Sequence, residues 1–364
     1  MLCFSFHSAA LFSWGHAVVA NFTGVGSETF IPFVVLQATL LFSIRHWQRR
    51  TGRTAWPTLT GSGGVRSKST LVDVTLLVVS GLPVATLFST TNRSVVGFVR
   101  RALPHVEVAR TVFDRVSTVR WILGTLVALI ATDFGVFVAH VLMHRFALLW
   151  AFHSVHHQAP TMTPLTAFRA HPIETFFVTL VSSVIGGAIV GMWLTLVDPS
   201  LSITRILGAN VIYVVFRAAF ASLRHSAIPM SFGPFERVLV SPRMHQLHHS
   251  IDPMDHNQNF GVVLSTWDRL WGTWAVAAAS QPIAFGVVGK SGQSLNAAII
   301  EPFVEAYRFI TVRKPFPEGT AKDAIQQCQP ACGCANVLAG SPKGNCVVAL
   351  AGPPGERTRL ETRT

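Results

Sequence analysis

Ser241-Pro-Arg-Met-His-Gln-Leu-His-His-Ser250 places His245, His248 and His249 at i, i+3 and i+4. On a helix that spacing projects all three imidazoles from one face. The pattern occurs once before, at His153, His156 and His157, and His140 and His144 stand just upstream as an i, i+4 pair. A neutral imidazole is the commonest metal-binding side chain, and same-face spacing lets a helix offer several nitrogens to one ion. In a histidine-rich chain one HxxxH arises easily by chance, whereas two HxxHH clusters together arise on the order of once in a thousand chains. The fold must therefore be one that brings several histidine-bearing helices to a common point.

Three more histidines, His171, His225 and His256, lie close to these clusters, and no role is assigned to His256. His225 directly follows the apolar run 201–220, at the membrane depth expected for His140 and His144, and is read as a ninth ligand. His171, in Phe168-Arg-Ala-His-Pro172, is read as a residue that orients a ligand rather than binding metal. Asp133, Phe137, His140 and His144 fall four, three and four apart, so they line one helical stripe. An ionisable residue inside a span is costly and faces a partner, which makes Asp133 a candidate acceptor for the ring N–H of a ligand imidazole. A single structural zinc takes four ligands, usually including cysteine. Nine imidazoles without clustered thiolates instead suggest two metals in one histidine-rich shell. Imidazole suits iron, zinc, copper or nickel, so the ligand type does not name the metal.

Composition sets these boxes at a membrane. Of 364 residues, 50% are hydrophobic and only 13% charged, with a formal net charge of +12, and mean hydropathy is +0.44. Apolar runs occur at 30–44, 71–88, 121–141, 175–197 and 201–220. The last two are joined at Asp198-Pro199-Ser200, a connection short enough to be a turn between antiparallel helices. The basic residues sit beside the apolar runs, which fits cytoplasmic anchoring against anionic lipid and not nucleic-acid binding. Residues 45–68 carry Arg45, Arg49, Arg50, Arg53, Arg66 and Lys68 with no acid, so the positive-inside bias puts this loop in the cytoplasm. Counting spans from it brings every histidine cluster to the cytoplasmic face. Segment 95–119, broken at Pro104, reads as an interfacial amphipathic helix.

The predicted fold is an all-α, multi-pass integral membrane protein with about four to five transmembrane helices. A cytoplasmic helical cap holds the histidine-rich two-metal site. Residues 1–120 supply N-terminal spans, 121–288 the catalytic core and 289–364 an extension, expected to lack fixed structure from Glu318 onward. Cys3 stands alone and Cys328, Cys332, Cys334 and Cys346 are irregularly spaced in the tail, so no disulfide framework is expected.

With those residues in view, the chain resembles the fatty acid hydroxylase / sterol desaturase superfamily. The resemblance rests on the order HxxxH, HxxHH, HxxHH with Asp133 before the first box and Arg145 after it. It extends through Leu149-Trp-Ala-Phe-His-Ser-Val-His-His157, Arg169-Ala-His-Pro172 with Glu174, Phe232-Gly-Pro-Phe-Glu-Arg-Val-Leu-Val-Ser-Pro-Arg-Met-His245, Asn259-Phe-Gly261 and Trp267-Asp-Arg-Leu-Trp-Gly-Thr273. It implies a non-haem enzyme with two iron ions as cofactor and O2 as co-substrate, hydroxylating or desaturating a lipid such as a fatty acyl chain or sterol. Electrons would come from a separate redox protein. The nine histidines would be the iron ligands, and Asp133, His171 and Glu174 would tune and orient them. A rival class is a membrane metal transporter or sensor, but polar residues along the spans are sparse (Asp133, Arg205, Arg217). A metallohydrolase would want an HExxH-like base, and no glutamate lies within any cluster.

Overall fold

The computed structural model describes residues 35, 39, 42, 46, 50, 68–80, 84–103, 117–197, 223–226, 229–276, 283–290 and 292–312. All of these fall in one compact unit, Met1–Glu318. Among the described residues there is helix and no strand beyond isolated bridges. In chain order the helices are α1 (Lys68–Ser80), α2 (Val84–Ala102), α3 (Ser117–Arg145), α4 (Ala147–His157), α5 (Pro172–Leu196), α6 (Pro242–His248), α7 (Thr266–Trp271) and α8 (Leu295–Val312). Short 3-10 turns at Pro164–Phe168, Gly233–Arg237 and Pro253–Asp255 link them.

Among the described residues two helices are long and apolar enough to cross a membrane, Val119–Arg145 within α3 and Pro172–Leu196, which is α5. They lie against each other closely because small residues face across the contact. A Cβ on Gly135 would come within 2.7 Å of the Ser182 Cα, so only glycine lets the two backbones approach this far. On the other face α5 meets α2, where Val96, Ala128, Val190 and Leu194 form one buried cluster.

Several expectations change here. The run 71–88 is divided between α1 and α2, and residues 81–83 lie outside the described set. Val96 belongs to the α2–α5 core, so this part of segment 95–119 is packed on protein. Residues 104–116, the second arm of the expected hairpin at 201–220, and the tail beyond 312 lie outside the described residues. Past residue 288 the chain does not simply trail away. Helix α8 packs on α1 and α4 through Val72, Leu76, Val155 and Ala298.

The site depends on how α3 hands over to α4. Phe146 is extended (φ −108°, ψ 118°) between the last residue of α3 and the first of α4. One extended residue redirects the chain so that the imidazoles of α4 turn back toward those at the end of α3. Helix α5 starts at a proline, as helices favour, with His171 and Glu174 forming a reciprocal cap. Ser241 caps α6 by accepting the Met244 N–H at 3.2 Å, and its own hydroxyl donates to Glu236 at 2.5 Å.

Candidate metal centre

Four segments converge. The last turns of α3 carry His140 and His144, α4 carries His153, His156 and His157, the turn at 223–226 carries His225, and α6 carries His245 and His248 with His249 as its C-cap. The ligand atoms fall into two groups, and within each group they lie within 4.8 Å of one another. One group is His140, His144, His153, His157 and His248; the other is His156, His225, His245 and His249. All nine sequence-selected histidines are therefore brought together.

Neither HxxHH box serves one group alone. The i, i+4 pair His153/His157 of α4 joins the first group, while His156 crosses to the second. Helix α6 does the reverse: His245 and His249 join the second group and His248 crosses to the first. Where the boxes interlace, the His157 and His249 rings stack with centroids 4.3 Å apart. His140 and His144 complete the first group and His225 the second.

The nitrogen spacings fit metal ligation. Nε2 atoms face one another at 3.1 Å for His140–His153 and His144–His153, and at 3.2 Å for His153–His157. In the second group the distances are 3.1 Å for His156–His225, 2.9 Å for His225–His245 and 3.2 Å for His245–His249. Metal–nitrogen bonds of roughly 2.0–2.1 Å place neighbouring ligand nitrogens about 3.0–3.4 Å apart.

Proton placement gives a second test. The Nδ1 of His140 donates to the Phe260 carbonyl at 2.7 Å, that of His156 to the Arg169 carbonyl at 3.0 Å, and that of His248 to the Gln258 carbonyl at 2.7 Å. A carbonyl only accepts, so in each neutral ring Nε2 is left as a bare lone pair. The His153 Nδ1 meets Glu174 Oε1 at 2.8 Å, which sets the same tautomer. The Nε2 lone pairs of His140 and His153 then face each other at 3.1 Å, an arrangement a cation between them makes favourable. The His248 Nε2 is buried with no hydrogen-bond partner. Burial holds the His156 imidazole down to about 3. Burial first, then neighbouring histidines, keeps His153, His157, His245, His248 and His249 well below the ordinary imidazole value. These rings are neutral donors, as metal binding requires.

The three residues expected to tune and orient the ligands stand in different places. Asp133, read from the sequence as an imidazole acceptor, instead accepts the N–H groups of Val263 and Leu264 at 3.1 Å each and the Trp267 Nε1–H at 2.9 Å. It anchors the loop whose Phe260 carbonyl receives His140, and so acts one layer further out. His171 caps α5, its Nδ1 accepting the Ile173 N–H at 3.1 Å. Its other nitrogen lies 3.3 Å from the Ile299 carbonyl of α8. The carboxylate touching a cluster histidine is Glu174, whose second oxygen accepts the His171 N–H at 3.3 Å.

Asp268 accepts the Phe260 and Gly261 N–H groups at 2.7 and 2.8 Å, so the stretch 260–264 is held by two carboxylates, Asp268 at 260–261 and Asp133 at 263–264. The Phe260 and Gln258 carbonyls could not be picked out from side-chain chemistry; the quoted Asn259-Phe-Gly261 was the available signal. Phe260 and Trp150 close the first group with apolar surface, their rings 5.0 and 4.9 Å from His144.

Comparison with known proteins gives this arrangement a family. The fatty acid hydroxylase family model matches residues 125–273, a range containing all nine histidines and the carboxylates of Asp133 and Asp268 that hold 260–264. Residues 125–273, less than half of the chain, are thus similar to the fatty acid hydroxylase family. The chain is 28% identical over 175 residues to an ornithine lipid hydroxylase (OlsE) of Rhizobium tropici, covering 48% of this chain and 49% of that protein. It is 26% identical over 165 residues to an alkylglycerol monooxygenase of Danio rerio (45% of this chain, 33% of the relative). The Homo sapiens alkylglycerol monooxygenase is 22% identical over 160 residues (44% and 32%). The chain thus spans about half or less of the length of these curated relatives. No solved structure matches it significantly. Helices α1 and α8 lie outside the hydroxylase segment, although both pack on it.

Proposed function

We propose that this protein is a membrane-embedded, O2-dependent lipid hydroxylase whose active site is a two-iron centre held by the nine clustered histidines. The observation that carries the reading is the convergence of those histidines into two groups with unprotonated Nε2 atoms facing one another. The family match and the names of the relatives, which act on an ornithine lipid and on alkylglycerols, support hydroxylation of a lipid over desaturation.

With iron bound, the centre supplies O2 activation and oxidation of an unactivated C–H bond. The overall change consumes one O2, two electrons and two protons and yields an alcohol and water, the electrons coming from a separate redox protein. The chain's own part is positional. Carbonyls of Gln258, Phe260 and Arg169 hold three imidazoles in the Nδ1–H tautomer, and Glu174 does the same for His153. Phe260 and Trp150 limit water at one group. Helices α3 and α5 set the centre at one end of two candidate spans, where a lipid chain can approach from the bilayer. The proposed topology is four to five spans, on the order the apolar runs allow, with the histidines on the cytoplasmic side as the basic loop 45–68 suggests.

The test is expression with iron supplementation in a host lacking related activity, followed by elemental analysis of the purified chain and comparison of cellular lipids. The expected result is two irons per chain and lipid species heavier by one oxygen that vanish in His156→Ala. Iron binding without any oxygenated lipid in hosts of varied lipid content would overturn the hydroxylase reading. Absence of metal after iron-supplemented expression would overturn the metal centre itself.

A further inference from the structure

Arg169 is among the largest side chains with no solvent exposure (0%), and every polar group on its guanidinium is matched. Its Nε donates to Asp73 Oδ1 at 2.5 Å, Nη2 to the Ser69 carbonyl and hydroxyl at 2.7 and 2.6 Å, and Nη1 to the Gly292 carbonyl at 2.9 Å. The same residue's carbonyl accepts the His156 Nδ1–H. Side-chain partners on one side and a cluster histidine on the other are thus joined through one backbone unit.

Helix α1 grips the surrounding segment along one face. Asp73 Oδ2 lies 3.5 and 3.4 Å from the hydroxyls of Thr163 and Thr166, which cap the 3-10 turn running into Arg169. About two turns further along, Ser80 donates to the Ala170 carbonyl at 2.5 Å. On the opposite side, Gly292 has φ +60°, and a Cβ there would collide with the Gln158 carbonyl. Only glycine can bring its own carbonyl to Arg169 at that position.

We infer that Asp73 and Arg169 are a positioning pair for His156, which makes α1 and Gly292, both outside the hydroxylase segment, working parts of the metal centre. The inference rests on the two-metal reading and adds a division of labour to it. The first group is oriented by Glu174, Gln258 and Phe260. His156 is the sole contribution of α4 to the second group, and its orientation runs through Arg169. Disturbing the pair should therefore empty one group and leave the other loaded. A buried ion pair that merely stabilised the fold would not discriminate between them.

The experiment uses the full-length protein purified after iron supplementation, with metal per chain, chelator competition and thermal unfolding measured together on wild type, Asp73→Asn, Gly292→Ala and Ser69→Ala. Asp73→Asn and Gly292→Ala are expected to hold half the wild-type metal while still unfolding cooperatively. Ser69→Ala keeps the backbone acceptor and loses only the hydroxyl, so it should fold and lose half its metal to chelator roughly tenfold faster, the low end for an orienting contact. Wild-type loading and retention in Ser69→Ala together with Asp73→Asn, or equal loss from both groups, overturns the inference. If Asp73→Asn and Gly292→Ala fail to fold, the Ser69→Ala chelation rate decides it alone. Wild type holding fewer than two metals would strike the two-metal reading itself, which separates that failure from failure of the pair.

Discussion

Asp133→Asn tests whether the loop carrying Phe260 is held from below by α3. Asp133 has no solvent exposure (0%). Its Oδ2 accepts from Leu264 N and Trp267 Nε1, and its Oδ1 from Val263 N. Asparagine can turn its one oxygen toward Leu264 and Trp267, which leaves the Val263 N–H facing an amide NH2. A stranded buried donor costs about 1–3 kcal/mol, and exchanging an ionised acceptor for a neutral one weakens each remaining bond by about 1 kcal/mol. The total is roughly 3–5 kcal/mol. Part of that loss should be relieved by movement of loop 258–264, which withdraws the Phe260 carbonyl from His140. Metal held by the first group should then bind roughly 10–100-fold more weakly, as when an orienting partner is removed. Thermal unfolding in detergent and chelator competition on the same preparation measure both effects. A variant matching wild type in unfolding temperature and in metal retention would refute the argument, since one oxygen would then be serving the three donors that two oxygens hold.

Gly261→Ala should destabilise the chain by about 2–3 kcal/mol, because its Cβ would sit 2.6 Å from the Leu264 carbonyl and 2.8 Å from Asp268; an unshifted melting curve would show the loop to be pliant. His248→Ala and His225→Ala should each lower metal content by half, one from each group; elemental analysis finding both metals in both variants contradicts the partition. The α4 and α6 histidines have folded values below their ordinary 6.5, so below that pH the unfolded chain takes up protons that the metal-free fold refuses. Their contribution to stability is present above pH 6.5 and is lost as pH falls toward about 3, the value for His156. The slope approaches about 1.4 kcal/mol per pH unit for each such histidine; denaturation of metal-free protein at pH 7.5 and 5.5 checks this, and equal stabilities would refute it.

Much of the centre was legible because helical spacing is a local property. His140/His144 and the two HxxHH boxes advertise a shared face within five residues of sequence, the place of His225 just after an apolar run pointed to it, and the family motifs took in Glu174. The partition was not legible: which imidazole of a box crosses to the other group depends on how α4 and α6 meet, and their boxes lie about ninety residues apart. Backbone carbonyls are equally silent, since Gln258, Phe260 and Arg169 act through atoms every residue carries. The hydrogen bonds of the buried Asp133 to Val263, Leu264 and Trp267 were not legible, because helical phase gives a direction without saying which loop lies there. Helix α8 escaped notice because Pro302, Glu301 and Glu305 interrupt an apolar run that the fold nonetheless packs on α4 through Ala298 and Ala306. The number of spans stays an expectation from hydropathy, with two helices meeting the length and apolarity it requires.

The crossing of the two boxes also sets a timetable for biosynthesis. When a growing chain has emerged through residue 200, it carries four of the five histidines of the first group but only His156 of the second. A first ion can be captured while translation continues, whereas the second must wait for His225 and then for Pro242–His248 to fold against α4. Chains arrested before Pro242 are expected to copurify with at most one metal, and finding two on them would contradict this order. A cell short of the metal would then accumulate half-loaded protein, with the vacancy always in the group assembled last.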